Sequence, residues 1–228
     1  MTNNVIRDNG VGISATSTGA DIQNNYLVGN NRAIQLSGLS CTGGGACGYR
    51  TYATGNLLVG NNESMLLRAH SVEISDNDLT CNIQGITLNQ YGGSQATFTG
   101  NNFGSVENFH FRLESSFEVE LGPSWFYSTS EIDARIYDFE DDSGLGEVTY
   151  QLFELPFQGE LKQIDYDGDG LDDYRELLQN SCPDRADTDG DSYSEKEVFD
   201  GVTDPRNPKS NHEVIFMSGF EGWEAGSN

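Results

Sequence analysis

Apolar positions in the first half of the chain follow a rule that repeats. In DIQNNYLVGNNRAIQL, from Asp21 to Leu36, an apolar residue is followed by an Asn, an apolar residue, a second Asn and a short alternating run. Ile22, Asn25, Leu27, Asn30, Ile34 and Leu36 set this frame. Ala53, Asn56, Leu58, Asn61, Met65 and Leu67 repeat it, as do Ile74, Asn77, Leu79, Asn82, Ile86 and Leu88. A decayed copy follows in Phe98, Asn101, Phe103, Phe109 and Phe111, and the end of a copy precedes in Asn4, Ile6, Asn9, Ile13 and Ala15. The first Asn of each copy falls at 4, 25, 56, 77 and 101, with spacings of 21, 31, 21 and 24. Period-two alternation inside a repeat of this length predicts an all-β solenoid of about five rungs, built as a parallel β-helix. Each rung is expected to hold three short strands with apolar side chains inward.

The recurring Asn has a physical reason to sit at a corner. Its side chain tolerates left-handed backbone and can bond the backbone of the next coil. The longer spacing between Asn25 and Asn56 reflects an insert, LSGLSCTGGGACGYR, expected to leave the solenoid as a loop. Tyr49, Arg50 and Tyr52 beside it suit stacking on a sugar, although aromatics near a loop are usually packing. Cys41 and Cys47 bracket TGGGA, a span short enough for a disulfide, the alternative being two free thiols. Cys81 stands where the repeat has Gly and is read as a small buried filler, while Cys182 has no obvious partner.

A solenoid must cover its last coil, because open strand edges and core side chains would otherwise be exposed. Trp125, Phe126 and Tyr127 suit that lid. Ser130 with Asp133 reads as a variant capping box opening a helix over Glu131 to Tyr137, with Ile132 and Ile136 on one face. Asp138, Glu140, Asp141 and Asp142 read as a solvated loop ending that helix.

Charge then changes the picture. The chain carries 12 Lys+Arg against 36 Asp+Glu, a formal charge of -24, which excludes ordinary nucleic-acid binding. From Asp138 to Asp204 there are 21 acids and 4 bases, so that stretch alone carries -17. No apolar run is long enough to span a membrane. The opening MTNNVIRDNG has neither the basic head nor the apolar core of a secretory signal, and the first copy lacks its first strand. The expectation is the C-terminal piece of a longer exported protein.

Within the acidic stretch, DYDGDGLDDYRE (Asp165 to Glu176) has the pattern of a twelve-residue calcium loop. Such a loop supplies oxygens from positions 1, 3, 5, 7, 9 and 12, with Gly at 6 for the turn. Asp165, Asp167 and Asp169 fill the first three, Leu171 gives a carbonyl, Asp173 takes position 9, and Glu176 supplies the bidentate end. A second loop, DTDGDSYSEKEV, offers Asp187, Asp189, Asp191, the Tyr193 carbonyl and Glu195. It departs at Ser192, which replaces the turn Gly, and at Val198, which stands in the closing position with Glu197 one place early. Glu197 could close the site after a shift, or water could complete it. The expected cofactor is Ca2+.

Catalytic chemistry is weakly represented. Asp21, Tyr52 and Glu73 share one outward column, placing two carboxyls two rungs apart, about 10 Å at strand spacing and at the long edge of an inverting glycosidase geometry. Asp76 and Asp78 have no acid stacked on them and read as solvated charges. His70 and His110 look like outward or corner residues and His212 lies in a loop, none with a second ligand at metal spacing.

Through DIQNNYLVGNNRAIQLS and VEISDNDLTCNIQGITLN, the first half resembles the right-handed parallel β-helix proteins of the pectate-lyase-like superfamily. That resemblance implies a fold shared by polysaccharide lyases, hydrolases and many surface proteins, and fold alone does not give a reaction. SWFYSTSEIDARIYDFEDDSGLGEVTY also resembles the closing segment of bacterial β-helix surface proteins. The two acidic loops, joined by ELLQNSCPDRADTDGD and followed by GVTDPRNPKS, resemble the thrombospondin type 3-like calcium repeats of bacterial exported proteins, which implies a calcium-ordered stalk or spacer without catalytic residues. IFMSGFE in the tail resembles a short C-terminal sequence of some exported bacterial proteins.

The expected organisation is rungs over 1–113, a cap over 114–160, a calcium-loop module over 161–212 and a tail over 213–228. The expected function is a calcium-stabilised, non-catalytic module of a secreted or cell-surface protein, with a polysaccharide or cell-surface glycan as partner. The alternative is a polysaccharide lyase or glycoside hydrolase using Asp21 and Glu73.

Overall fold

The computed structural model describes residues 1–16, 19–38, 50–68, 71–89, 95–156, 164–201 and 203–209. The repeat becomes a parallel β-solenoid of about five turns. β1 (Val5–Arg7) and β2 (Val11–Thr16) form the first coil; β3 (Asp21–Gln23), β4 (Tyr26–Val28) and β5 (Arg32–Ser37) the second; β6 (Thr51–Thr54), β7 (Leu57–Val59) and β8 (Glu63–Arg68) the third. β9 (Ser71–Ser75), β10 (Asp78–Thr80) and β11 (Gln84–Leu88) follow, then β12 (Gln95–Thr99), β13 (Asn102–Phe103) and β14 (Phe111–Leu113).

Strands stack in three columns, and the register pairs residues the repeat aligns. Ile22, Ala53, Ile74 and Phe98 stack in one column. Ile34, Met65, Ile86 and Phe111 stack in another. All these side chains are buried in one continuous core. Because side chains alternate along a strand, a one-residue slip would turn each set outward, so burial fixes the register.

The corners are held by two Asn ladders. Asn25, Asn56, Asn77 and Asn101 form one, and Asn30, Asn61 and Asn82 the other, all at 0–1% exposure. Asn25 donates both its backbone N–H and its Nδ2 to Asn56 Oδ1 at 3.0 Å, and Asn56 Nδ2 donates to the Ile22 carbonyl at 3.0 Å. The unit repeats from Asn56 to Asn77 and from Asn77 to Asn101. Each side chain thus answers buried backbone groups of neighbouring turns. The left-handed backbone lies one place earlier than expected. It is the residue before each ladder Asn, such as Asn24, Gly55, Asp76 or Gly100, that has positive φ.

β15 (Val119–Phe126) closes the coil by rounding a corner, pairing with β12 at Leu121 and with β13 at Trp125 and Phe126. Gly122 sits at that bend, where a Cβ would come within 2.6 Å of the Phe98 carbonyl oxygen. Trp125 and Phe126 are buried as expected of a lid, whereas Tyr127 is exposed. The helix expected over Glu131 to Tyr137 is a single 3-10 turn at Asp133–Arg135. Ile136 leaves it to enter β16 (Ile136–Tyr137), which pairs with Phe111 and Arg112 and answers an open strand edge that a helix would leave bare. β17 (Val148–Phe153) then pairs along β15. Asp138 is buried rather than solvated, and its carboxylate accepts from the Glu140 and Val148 N–H groups.

After β17 the acidic module folds back along the wall made by β4, β7 and β10. It contains α1 (Asp173–Gln179) and α2 (Glu195–Gly201). Tyr26, Leu57 and Val59 are buried in a small cluster with Tyr166, whose ring lies 4.1 Å from that of Tyr26. Arg7 donates to the Tyr166 hydroxyl, and Tyr26 OH donates to the Pro183 carbonyl at 3.4 Å. Gly104 has room only for hydrogen, since a Cβ would meet Thr80 Oγ1 at 2.6 Å and Leu177 Cδ1 at 3.0 Å. The module therefore lies against the solenoid wall instead of projecting as a stalk.

A disulfide fastens it there. Cys81 and Cys182 are bridged across a sequence separation of 101, with Cα atoms 5.8 Å apart. This corrects the reading of Cys81 as a filler and of Cys182 as partnerless. Cys81 keeps the left-handed φ of the glycines it replaces, 55° against 63° at Gly29 and 64° at Gly60. Arg206 lies over the bridge, with Nη2 at 3.2 and 3.3 Å from the two sulfurs. Cys41, Cys47, Tyr49, His70, His212 and the tail from 213 fall outside the described residues.

Candidate metal centre

Two groups of aspartates bring carboxylate oxygens within 4.8 Å of one another: Asp165, Asp167 and Asp169, and Asp187, Asp189 and Asp191. Each group could hold a metal ion. The backbone makes them converge. In the first loop Asp165 accepts from the Gly168 and Gly170 N–H groups at 2.8 and 3.0 Å, Asp167 from Asp169 N–H at 3.1 Å, and Asp169 from Leu171 N–H at 2.7 Å. Gly168 and Gly170 take positive φ, as such a tight turn requires. Asp172 caps α1 by accepting from Arg175 N–H, which places Glu176 in the first turn facing back toward the loop.

Several oxygens of the first loop have no partner among the described residues. Glu176 is 0% exposed and neither carboxylate oxygen is bonded. Asp173, at 3%, spends Oδ1 on the Tyr166 N–H and leaves Oδ2 buried and unpartnered, as is Asp167 Oδ2. Burial, followed by the charges of Asp167, Asp173, Asp169 and Glu195, pushes Glu176 up to about 10. Burial, then Asp167, Asp165 and Asp78, pushes Asp173 up to about 8. Asp167 rises to about 6 through burial and the charges of Asp169, Asp165 and Glu195. Buried unpaired carboxylates are costly, and a hard cation bound by oxygen removes the cost.

The second loop repeats the turn with Ser192 in the left-handed position, φ 79°, doing what Gly170 does in the first. Asp187 accepts from Gly190 and Ser192 N–H groups, and Asp191 accepts from Tyr193 N–H at 2.9 Å. Glu195 is 2% exposed, accepts from Thr188 N–H through Oε1 and keeps Oε2 buried and unpartnered. Glu197 is placed elsewhere. It is exposed and reaches back to Ser194, accepting from that residue's N–H at 2.9 Å as the closing member of a capping box on α2. The structure thus brings together Asp187, Asp189 and Asp191, sets Glu197 at the helix cap, and has Leu171 buried at the centre of the first loop.

The outward column is as the repeat implies: Asp21 pairs with Tyr52, and Tyr52 with Glu73. Glu73 is ion-paired to Arg50 at 2.9 Å, and Tyr52 is 39% exposed. Asp78, expected as a solvated charge, is 4% exposed, accepts from Asn102 Nδ2 and lies beneath the module, where its charge bears on Asp173. His110 is also buried, packed between Phe103 and Phe126. A separate pocket of about 170 Å³ lies between His110, Tyr127, Arg135 and Asn180. It is smaller than drug-sized sites.

No protein-family model, curated protein or solved structure matches the chain. Among the described residues, no helix is long and apolar enough to cross a membrane. The Cys81–Cys182 bridge is of a kind that persists in oxidising compartments.

Proposed function

We propose that this chain is a calcium-stabilised, non-catalytic β-solenoid module of a secreted or cell-surface protein, in which calcium loops brace the solenoid wall. The observation that carries this reading is Glu176, buried with both oxygens unpartnered among Asp167, Asp169 and Asp173. An all-oxygen donor set of carboxylates and a carbonyl suits Ca2+ better than softer metals. Asp165, Asp167, Asp169, Leu171, Asp173 and Glu176 would hold the first ion, and Asp187, Asp189, Asp191 and the Tyr193 carbonyl the core of a second. Bound calcium supplies positive charge that lets these carboxylates ionise together, so metal binding and folding of the module are linked.

The test is calcium titration by calorimetry on the full chain, followed by thermal melting with and without chelator. A site occupied at 100 times its Kd adds about 2.7 kcal/mol to stability. If chelation leaves the melting of the module unchanged, the calcium reading is wrong. The non-catalytic part is tested separately on pectin and alginate. Depolymerisation that disappears in Glu73→Gln would transfer the function to the Asp21–Glu73 face.

A further inference from the structure

We propose that Glu195, which belongs to the second loop in sequence, completes the first cation site, and that this shared carboxylate makes the two loops bind cations cooperatively. The inference rests on the calcium reading above and concerns which residues serve which ion.

The geometry begins with the seam between the loops. Lys196 N–H, in the first turn of α2, donates to Asp169 Oδ2 at 2.9 Å, so the backbone beside Glu195 is bonded to an aspartate of the first loop. Lys196 also lies over Gly170, within 3.8 Å of where a Cβ would be. The Glu195 side chain is pinned at one oxygen only. Oε1 accepts from Thr188 N–H, the bond that holds the second loop closed, and Oε2 is buried with no partner among the described residues. A carboxylate at 2% exposure does not leave an oxygen unanswered without cost.

Its surroundings agree with the seam: Glu195 lies close enough to Asp169, Asp167 and Glu176, all members of the first loop, for their charges to act on one another. Asp173 offers a built-in comparison. It occupies the same loop position in the first repeat, spends one oxygen on the N–H of the second loop residue, and leaves the other buried and unpartnered. Both position-nine acids thus use one oxygen for their own loop and keep one for a cation.

Cooperativity follows from this division. Thr188 N–H fixes Glu195 only when the second loop is closed, and closing that loop around its own ion presents Oε2 to the first. Each ion pre-orders a ligand for the other, and coupling of this kind is reciprocal.

The experiment is a calcium titration of the full chain followed by amide NMR, which reads the sites separately. Gly168 and Gly170 report the first loop, and Gly190 and Ser192 the second. Glu195→Gln keeps the acceptor for Thr188 N–H and removes the charge. The expected result is a rise of at least tenfold in the calcium midpoint at Gly168 and Gly170. Glu197→Gln, which alters the exposed cap, should leave that midpoint within twofold. A Glu195→Gln protein whose Gly168 and Gly170 midpoints are unchanged would overturn the proposal while leaving the calcium reading intact. A wild-type chain with no calcium response at any of the four amides would remove both.

Discussion

The bridge between Cys81 and Cys182 offers the most direct test of how solenoid and module are joined. Closing a loop of about 100 residues is worth about 4.7 kcal/mol in the chain-entropy account, and the separation here is 101. Part of that gain offsets a local cost. Cys81 holds φ 55°, a conformation that costs an L-residue about 1–2 kcal/mol and glycine little. Two double variants separate these effects. Cys81→Ala/Cys182→Ala should lose about 5 kcal/mol, the full chain-entropy contribution, because alanine retains the strain. Cys81→Gly/Cys182→Ala should lose about 3–4 kcal/mol, because glycine relieves it. The assay is urea unfolding in saturating calcium, so that metal occupancy is constant, with thiol counting in denaturant under non-reducing conditions. Two variants within about 1 kcal/mol of wild type, or two reactive thiols at these positions in the oxidised protein, would refute the reasoning.

Three further outcomes are expected. Asn56→Ala strips the acceptor from Asn25 N–H and Nδ2 and the donor from the Ile22 carbonyl; at about 1–3 kcal/mol per buried unsatisfied group it should cost at least about 3 kcal/mol, read as a fall in urea midpoint. Asn62→Ala, which removes an exposed bond to Asn31, should cost no more than about 0.5 kcal/mol. Gly104→Val drives side-chain atoms into Thr80 and Leu177, and should weaken calcium binding while the solenoid's circular dichroism persists. Burial, and then Arg135, lowers His110 to about 3 from an unfolded value of 6.5, so its contribution is intact above pH 6.5 and falls as pH drops toward 3. At pH 5 the loss is about 2 kcal/mol, and His110→Phe should show that much less destabilisation between pH 7 and pH 5.

The solenoid was legible because its information is local and repeated. Ile34, Met65, Ile86 and Phe111 recur at a fixed place in each copy, and burial of one face converts that place into register. The first acidic loop was legible for a related reason, since one short window contains the converging carboxylates of Asp165, Asp167 and Asp169. What failed depended on contacts between distant segments. Ile132 and Ile136 have helical spacing, but the bare edge at Phe111 takes Ile136 into a strand. Asp78 stacks in the column of Tyr26 and Leu57 that the module covers, so its burial draws on a distant segment. Cys81 did carry a signal: it stands where the two preceding coils have Gly29 and Gly60 at positive φ, a conformation that costs a cysteine more than a glycine. Nothing local to Cys182 points to its partner in another segment.

On the calcium reading proposed above, these long-range contacts govern recovery after calcium loss. The described wall that receives the module presents Tyr26, Leu57 and Val59, with Arg7 bonded to the Tyr166 hydroxyl, and Asp78 adds a negative charge beneath Asp173. Docking of a module that carries 14 acids against 6 bases over 161–212, a net -8, therefore depends on cations and on the covalent tie more than on attraction by the wall. When calcium is removed, the bridge keeps α1's end of the module at Cys81, so re-docking is an intramolecular event at high effective concentration. Stopped-flow tyrosine fluorescence after chelation and calcium re-addition should show re-docking of Tyr166 against Tyr26 at least tenfold faster in the oxidised chain than in Cys81→Gly/Cys182→Ala. Equal rates would mean that chain connectivity through residues 154–164 already holds the module in place and that the disulfide contributes to equilibrium stability alone.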